Sequence, residues 1–108
     1  MELQFVKMHG IGNDFVLVDC MGSDTPEPGQ LARTLCRRRF GIGADGLLAV
    51  CPSDVADYRM RIFNADGSEA AICGNGLRCV GKYAYEHGIS CSPTPAVETG
   101  AGIRRLHL

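Results

Sequence analysis

One stretch constrains the rest of this chain. Residues 75–87 carry the strongest helical period, with Leu77, Val80, Gly81 and Ala84 recurring on one face. Gly88 follows where a helix C-terminal glycine belongs. An amphipathic helix must lay its apolar face on something, and the other apolar segments are short and strand-like. They are residues 3–8 and 14–19, linked through Gly10-Ile11-Gly12, and residues 46–51 and 58–64. Residues 65–68 form a turn, Ala65-Asp66-Gly67-Ser68. A shorter helix is expected over residues 30–39, packed through Leu31, Thr34 and Leu35. Residues 23–29, with Pro26, Pro28 and Gly29, read as a loop, as do residues 90–95. Residues 41–46 break the chain. Residues 97–108 read as one strand interrupted at Gly100 and Gly102, or as two short strands.

The 108 residues suggest one small domain, residues 1–108. A formal net charge of -1 gives no electrostatic reason to expect nucleic acid or an anionic membrane as partner. The cluster Arg33, Arg37, Arg38 and Arg39 reads as the solvated end of a helix, where cations are favoured. No apolar run is long enough to span a bilayer, and residues 1–7 lack a signal core, so a cytoplasmic protein is expected. Cysteines stand at positions 20, 36, 51, 73, 79 and 91. Without a C-x-x-C pair or a secretion signal they read as reduced thiols, mostly small core residues, and not as zinc ligands.

The segment Gly41-Ile42-Gly43-Ala44-Asp45-Gly46 fits G-x-G-x-x-G. A dinucleotide site needs that motif between a strand and a following helix, whose N-terminus holds the pyrophosphate. Here a helix precedes it and a strand follows, so the glycines read as a tight turn.

The chemistry concentrates in Cys73-Gly74-Asn75-Gly76-Leu77-Arg78-Cys79. Cys73 stands just before the best helix. The first turn of a helix exposes N–H groups without internal partners and carries partial positive charge. Gly74 and Gly76 present no side chain to block approach. A thiol there ionises more easily than free cysteine, and the same N–H groups can hold a carboxylate beside it. That pairing suits removal of a proton from the carbon next to a carboxylate, which needs a base of suitable pKa and fixed donors for the developing charge. The heptapeptide equally fits a buried structural thiol followed by a plain loop. Asn64, Asp66, Ser68 and Glu69 follow a strand end, a common place for binding groups. Asn64 could bind a second polar end of a substrate, or simply shape a turn, and Asn13 has the same two readings. Asp14 and Asp45 read as turn or capping groups.

Four segments together resemble diaminopimelate epimerases. They are Lys7-Met8-His9-Gly10-Ile11-Gly12-Asn13-Asp14-Phe15, Arg39-Phe40-Gly41-Ile42-Gly43-Ala44-Asp45-Gly46, Met60-Arg61-Ile62-Phe63-Asn64-Ala65-Asp66-Gly67-Ser68-Glu69, and the Cys73 to Cys79 run. The resemblance implies an α+β chain forming one lobe of a two-lobed fold, with a curved, mostly antiparallel sheet around a central helix. It implies an isomerase that converts LL-2,6-diaminopimelate to the meso form, for lysine and peptidoglycan synthesis, without pyridoxal phosphate or metal. By resemblance Cys73 is one of two catalytic cysteines. Asn13 and Asn64 match substrate-binding positions, and Gly74 and Asn75 match the amides that hold the reacting carboxylate. Gly46 stands where some members carry a glutamine.

Length is the main departure. Inversion needs a second base on the opposite face, and nothing here matches the family's second cysteine motif. Cys79 lies further along the same helix, and Cys91 lies in a loop. The expectation is therefore an N-terminal lobe, truncated and inactive alone, with the C-terminal lobe as the missing partner; a homodimer of the full-length enzyme is compatible with it. Two alternatives stand beside this reading: a non-catalytic lobe serving as a binding or interaction module, and a related proline-racemase-like or phenazine-biosynthesis isomerase.

Overall fold

The computed structural model describes residues 5–10, 13–22, 28–36, 44–72 and 74–108. In chain order the elements are β1 (Phe5–Gly10), β2 (Asn13–Asp19), α1 (Pro28–Leu35), β3 (Gly46–Cys51), β4 (Tyr58–Asn64), β5 (Glu69–Ala70), α2 (Gly74–Glu86), β6 (Ala96–Thr99) and β7 (Gly102–Arg105). They form one mixed sheet in the order β1-β2-β3-β4-β6-β7, with β5 paired to β4. Most pairings are antiparallel. β2 with β3 and β4 with β6 are the parallel ones. Parallel neighbours need a long crossover, usually a helix. α1 supplies it between β2 and β3, and α2 between β4 and β6.

The helices cover opposite faces. Along β2, Phe15 and Leu17 belong to the core under α2, while Val16 and Val18 belong to the core under α1. β3 splits in the same way, Leu48 and Val50 against Leu47 and Ala49. Burial on both sides is why these strands read as continuous apolar runs and not as alternating ones. Leu17, Leu48 and Val80 are fully buried. Each such side chain contributes roughly 1.5–3 kcal/mol through removal from water.

β3 and β4 have the bounds expected from sequence. α2 also matches, and Leu77, Val80, Gly81 and Ala84 are all buried. Past its end at Glu86, Gly88 takes a φ of 71°. The Ile89 N–H donates to the Ala84 carbonyl at 2.9 Å and Gly88 N–H to the Tyr85 carbonyl at 3.4 Å. This pair of bonds is the Schellman pattern that satisfies the last carbonyls of a helix. The stretch after residue 95 is two strands. β6 and β7 pair around Gly100 and Ala101, with the Thr99 hydroxyl donating to the Gly102 carbonyl at 2.6 Å.

Three expectations need correction. α1 spans Pro28–Leu35, so the last two residues of the expected 23–29 loop are helical and the helix expected over residues 30–39 stops at Leu35. Proline suits a first helical turn because its missing N–H would have no partner there. The packed side of α1 is Ala32 and Cys36, both buried, flanked by half-buried Leu31 and Leu35. Thr34 is exposed, and its hydroxyl donates to the Gln30 carbonyl at 3.2 Å. β5 was not foreseen. Positions 23–27 and 37–43 lie outside the described residues. Among the described residues no helix is long and apolar enough to cross a membrane.

Candidate active site at the N-terminus of the second helix

Where α2 begins is set by where it is anchored. The Tyr83 hydroxyl donates to Asp19 Oδ2 at 2.9 Å, which fixes the later half of α2 at the last residue of β2. The Tyr83 ring also stacks on His87, centroids 3.9 Å apart. Leu77, one turn into α2, shares a core with Phe15 near the start of β2. The helix therefore runs alongside β2, and its first turn lies toward the end of the sheet where β2 starts at Asn13.

The same end carries the other candidates. Phe15 of β2 pairs with Gly46 of β3, and Gly46 with Asn64 of β4. A Cβ on Gly46 would sit 2.9 Å from the Phe63 carbonyl oxygen, so backbone proximity leaves no room for a side chain here. The Asp14 N–H donates to Asp45 Oδ2 at 2.8 Å and the Asp45 N–H to the Asp14 carbonyl at 2.8 Å. Asp45 thus ties β2 to the start of β3, a structural use of its carboxylate. The strand ends at Asn13, Gly46 and Asn64 lie at one end of the sheet, the end toward which α2 runs back to its start at Gly74.

The polar run after β4 is largely occupied with its own turn. Asn64 is exposed and donates from Nδ2 to Ser68 Oγ at 2.9 Å. Ser68 in turn donates from N and Oγ to Asp66 Oδ1 at 2.9 and 2.6 Å. The Ser68 hydrogen bonds hold the Asp66 carboxyl below its usual value. Arg61 grips Glu69 at both oxygens, Nε to Oε2 at 3.0 Å and Nη2 to Oε1 at 2.9 Å. Arg61 is likewise the main reason the Glu69 carboxyl sits below the usual range. The Glu69 carboxylate therefore joins β4 to β5, the strand that leads into α2.

Gly74 opens α2 and is exposed, and a Cβ placed on it would meet nothing within 4 Å among the described residues. Asn75 is half-buried, and Arg78 is exposed. Cys79 is buried in the core under α2, away from this opening. Cys73 lies outside the described residues. Asn13 is described as the first residue of β2. Cys20 and Cys36 are buried, Cys51 is half-buried, and Cys91 is exposed. Sequence reasoning did not find the Tyr83–Asp19 anchor, because residues 64 positions apart carry no local signal of contact.

The architecture defines a class before it defines a family. The chain superposes along its whole length on a phenazine biosynthesis protein of the PhzF family from Enterococcus faecalis, with a TM-score of 0.80 at 12% identity over 41% of that chain. A PhzF-family protein from Bacillus anthracis matches 97% of the chain at a TM-score of 0.71 and 27% identity, over 33% of its own length. A probable proline racemase from Agrobacterium radiobacter gives 0.76 at 21% identity, over 96% of this chain and 36% of that one. The α+β fold is that of one lobe of such proteins.

Sequence narrows the class to one group. Residues 5–108 match the family model for diaminopimelate epimerase. The diaminopimelate epimerase of Moorella thermoacetica is 59% identical over 108 residues, 98% of this chain and 38% of the relative. That of Desulfovibrio desulfuricans is 53% identical over 106 residues, 98% of the chain and 37% of the relative. The chain belongs to the diaminopimelate epimerase family, and it spans a little over one third of the length of these relatives.

Proposed function

We propose that the protein containing this chain converts LL-2,6-diaminopimelate to the meso form, without a cofactor, by proton transfer between two cysteines. This chain supplies the first cysteine, Cys73, and acts as the N-terminal lobe. The observation that carries the reading is the opening of α2: its first residue is exposed, and no other described residue stands where a side chain would project. Family membership supports the substrate class, and the short coverage of the relatives supports a role for a second lobe.

In this reading the N–H groups of Gly74 and Asn75 hold the carboxylate at the reacting carbon. They act where charge develops and need no reorganisation as it does. The partial positive charge of the helix start also favours the Cys73 thiolate over the thiol. The thiolate takes the α-hydrogen, and the electron pair left on carbon is delocalised into the carboxylate. A thiol from the second lobe returns a proton on the opposite face, which inverts the centre and exchanges the two thiol states. Asn13 and Asn64, at the same end of the sheet, bind the substrate's polar groups. The product feeds lysine and peptidoglycan synthesis in the cytoplasm.

The test is exchange of the substrate α-hydrogen in deuterated water, with protein containing both lobes. The expected result is exchange in the native protein and its loss in Cys73→Ala. Unchanged exchange in Cys73→Ala removes Cys73 from the chemistry.

A further inference from the structure

Three cysteines outside the proposed epimerase chemistry, Cys20, Cys36 and Cys51, gather on the α1 face of the sheet. Two of them are strand neighbours. β2 and β3 pair in parallel register as far as Asp19 and Val50, and the Cys20 N–H then donates to the Val50 carbonyl at 2.8 Å. One residue further along both strands, Cys20 stands beside Cys51. Side chains alternate along a strand, so both point to the face that carries Val18 and Ala49. The neighbouring Cys20 is the foremost influence on the Cys51 thiol and raises it. Cys20 Sγ in turn lies 3.9 Å from the Val18 carbonyl oxygen, which accepts its S–H. Adjacent strands lie about 4.8 Å apart, within the Cα separation of about 4.4–6.8 Å that a disulfide spans. Cys20 is only 4% exposed, whereas Cys51 is half-buried and reachable by a small oxidant.

We propose that Cys20 and Cys51 form a reversible thiol–disulfide site, oxidised by hydrogen peroxide, on the side of the sheet opposite α2. The steps balance. The Cys51 sulfur loses its proton to solvent and attacks a peroxide oxygen. The O–O bond breaks, hydroxide leaves as water on protonation, and a sulfenic acid forms. The Cys20 sulfur, having lost its own proton, attacks the Cys51 sulfur and expels the second hydroxide. The protein loses two hydrogens and the peroxide becomes two waters; a thiol reductant reverses the change.

The pairing also sets the rate. The hydrogen bond to Cys20, burial and the charge Cys20 would carry all raise the Cys51 thiol well above the ordinary cysteine value; Arg61 and Arg59 act the other way. A thiolate is the nucleophile, so linkage should be slow near neutral pH and faster as pH rises.

The proposal does not rest on the epimerase reading. Its test is brief exposure of the protein to hydrogen peroxide, trapping of remaining thiols with N-ethylmaleimide, and non-reducing peptide mapping by mass spectrometry. The expected product is a peptide pair joined through Cys20 and Cys51, reversed by dithiothreitol and absent in Cys51→Ser and in Cys20→Ser. It should form at least about tenfold faster at pH 9 than at pH 7, following the thiolate fraction. If the native protein keeps Cys51 alkylatable after exposed Cys91 is fully oxidised, or if Cys20 links to Cys36 instead, the pair is not a redox site. The native mapping decides this even if a serine variant fails to fold.

Discussion

The first turns of both helices contain glycine, and the two glycines do opposite things. In α1, a Cβ on Gly29 would lie 2.6 Å from the Gly67 carbonyl oxygen; a Cβ on Gly67 would lie 2.8 Å from the Gly29 carbonyl oxygen and 2.9 Å from Arg33 Nε. Gly67 also has a φ of 94°, which L side chains rarely adopt. That helix start is closed by backbone packed on backbone. In α2, Gly74 faces open space among the described residues. One glycine lets two segments touch, and the other leaves room that no other described residue fills. A glycine-rich helix start therefore becomes a candidate site only when its surroundings are known to be empty.

Substitutions at these glycines break the comparison most directly. Gly67→Ala combines a backbone clash with a disfavoured φ and should cost about 3 kcal/mol or more. Gly29→Ala should cost about 2–3 kcal/mol from the clash alone. Because both disrupt the same contact, the double variant should lose less than the sum, as measured by urea denaturation. Full additivity would mean the two segments do not share the contact. Gly74→Ala should behave in the opposite way. Its stability should stay within about 0.5 kcal/mol of the native value, since no other described residue crowds the new methyl group. If the proposed site is right, epimerisation by protein containing both lobes should nevertheless fall at least about tenfold in kcat/KM, because the methyl group would then enter the place proposed for the carboxylate. Loss of stability without loss of turnover would reverse the assignment.

The smallest effects belong to the anchored half of α2. Tyr83→Phe removes the hydrogen bond to Asp19 and should cost about 1 kcal/mol. Burial pushes the Tyr83 phenol up to about 12, helped by the Asp19 hydrogen bond and charge. Burial, then the charge of Asp57, pushes Tyr58 up to about 12 as well. The unfolded value is near 10. A group with a raised folded pKa contributes stability that is complete below the unfolded value and lost as pH climbs through the folded one. Denaturation midpoints should therefore be flat with respect to these groups below about pH 10 and fall between about pH 10 and 12. Tyr83→Phe should shallow that decline. In a Tyr85→Phe variant, which leaves only Tyr58 and Tyr83, phenolate absorbance rising near pH 10 while the protein is still folded would contradict both shifts.

Much of this architecture was legible where one residue pattern had one physical meaning. Leu77, Val80, Gly81 and Ala84 lie on one face only in a helix, and all are buried. The apolar runs of β3 and β4 had clear turn residues at their borders. The packed side of α1 was misread because Ala32 and Cys36, which do the packing, are small, while the larger Leu31 and Leu35 sit at the margin. β5 has two residues, too few for any period to show. The close approach of Gly29 to Gly67, the Tyr83–Asp19 bond and the Cys20–Cys51 pairing are products of topology, and no local pattern announces them. Of the candidate site, Asn64 and Gly74 could be followed into three dimensions as exposed residues, and Asn13 as the first residue of β2, at the same end of the sheet. Cys73 is known by its position in the chain, immediately before α2.

The central claim is that the open start of α2 both activates Cys73 and receives an anion. Alkylation of Cys73 as a function of pH, compared for iodoacetate and iodoacetamide and referenced to exposed Cys91, measures both at once. The account predicts an inflection for Cys73 clearly below the free-cysteine value of about 8.5, with the anionic reagent favoured at Cys73 relative to Cys91. An inflection at or above 8.5, with no preference for the anion, would contradict it.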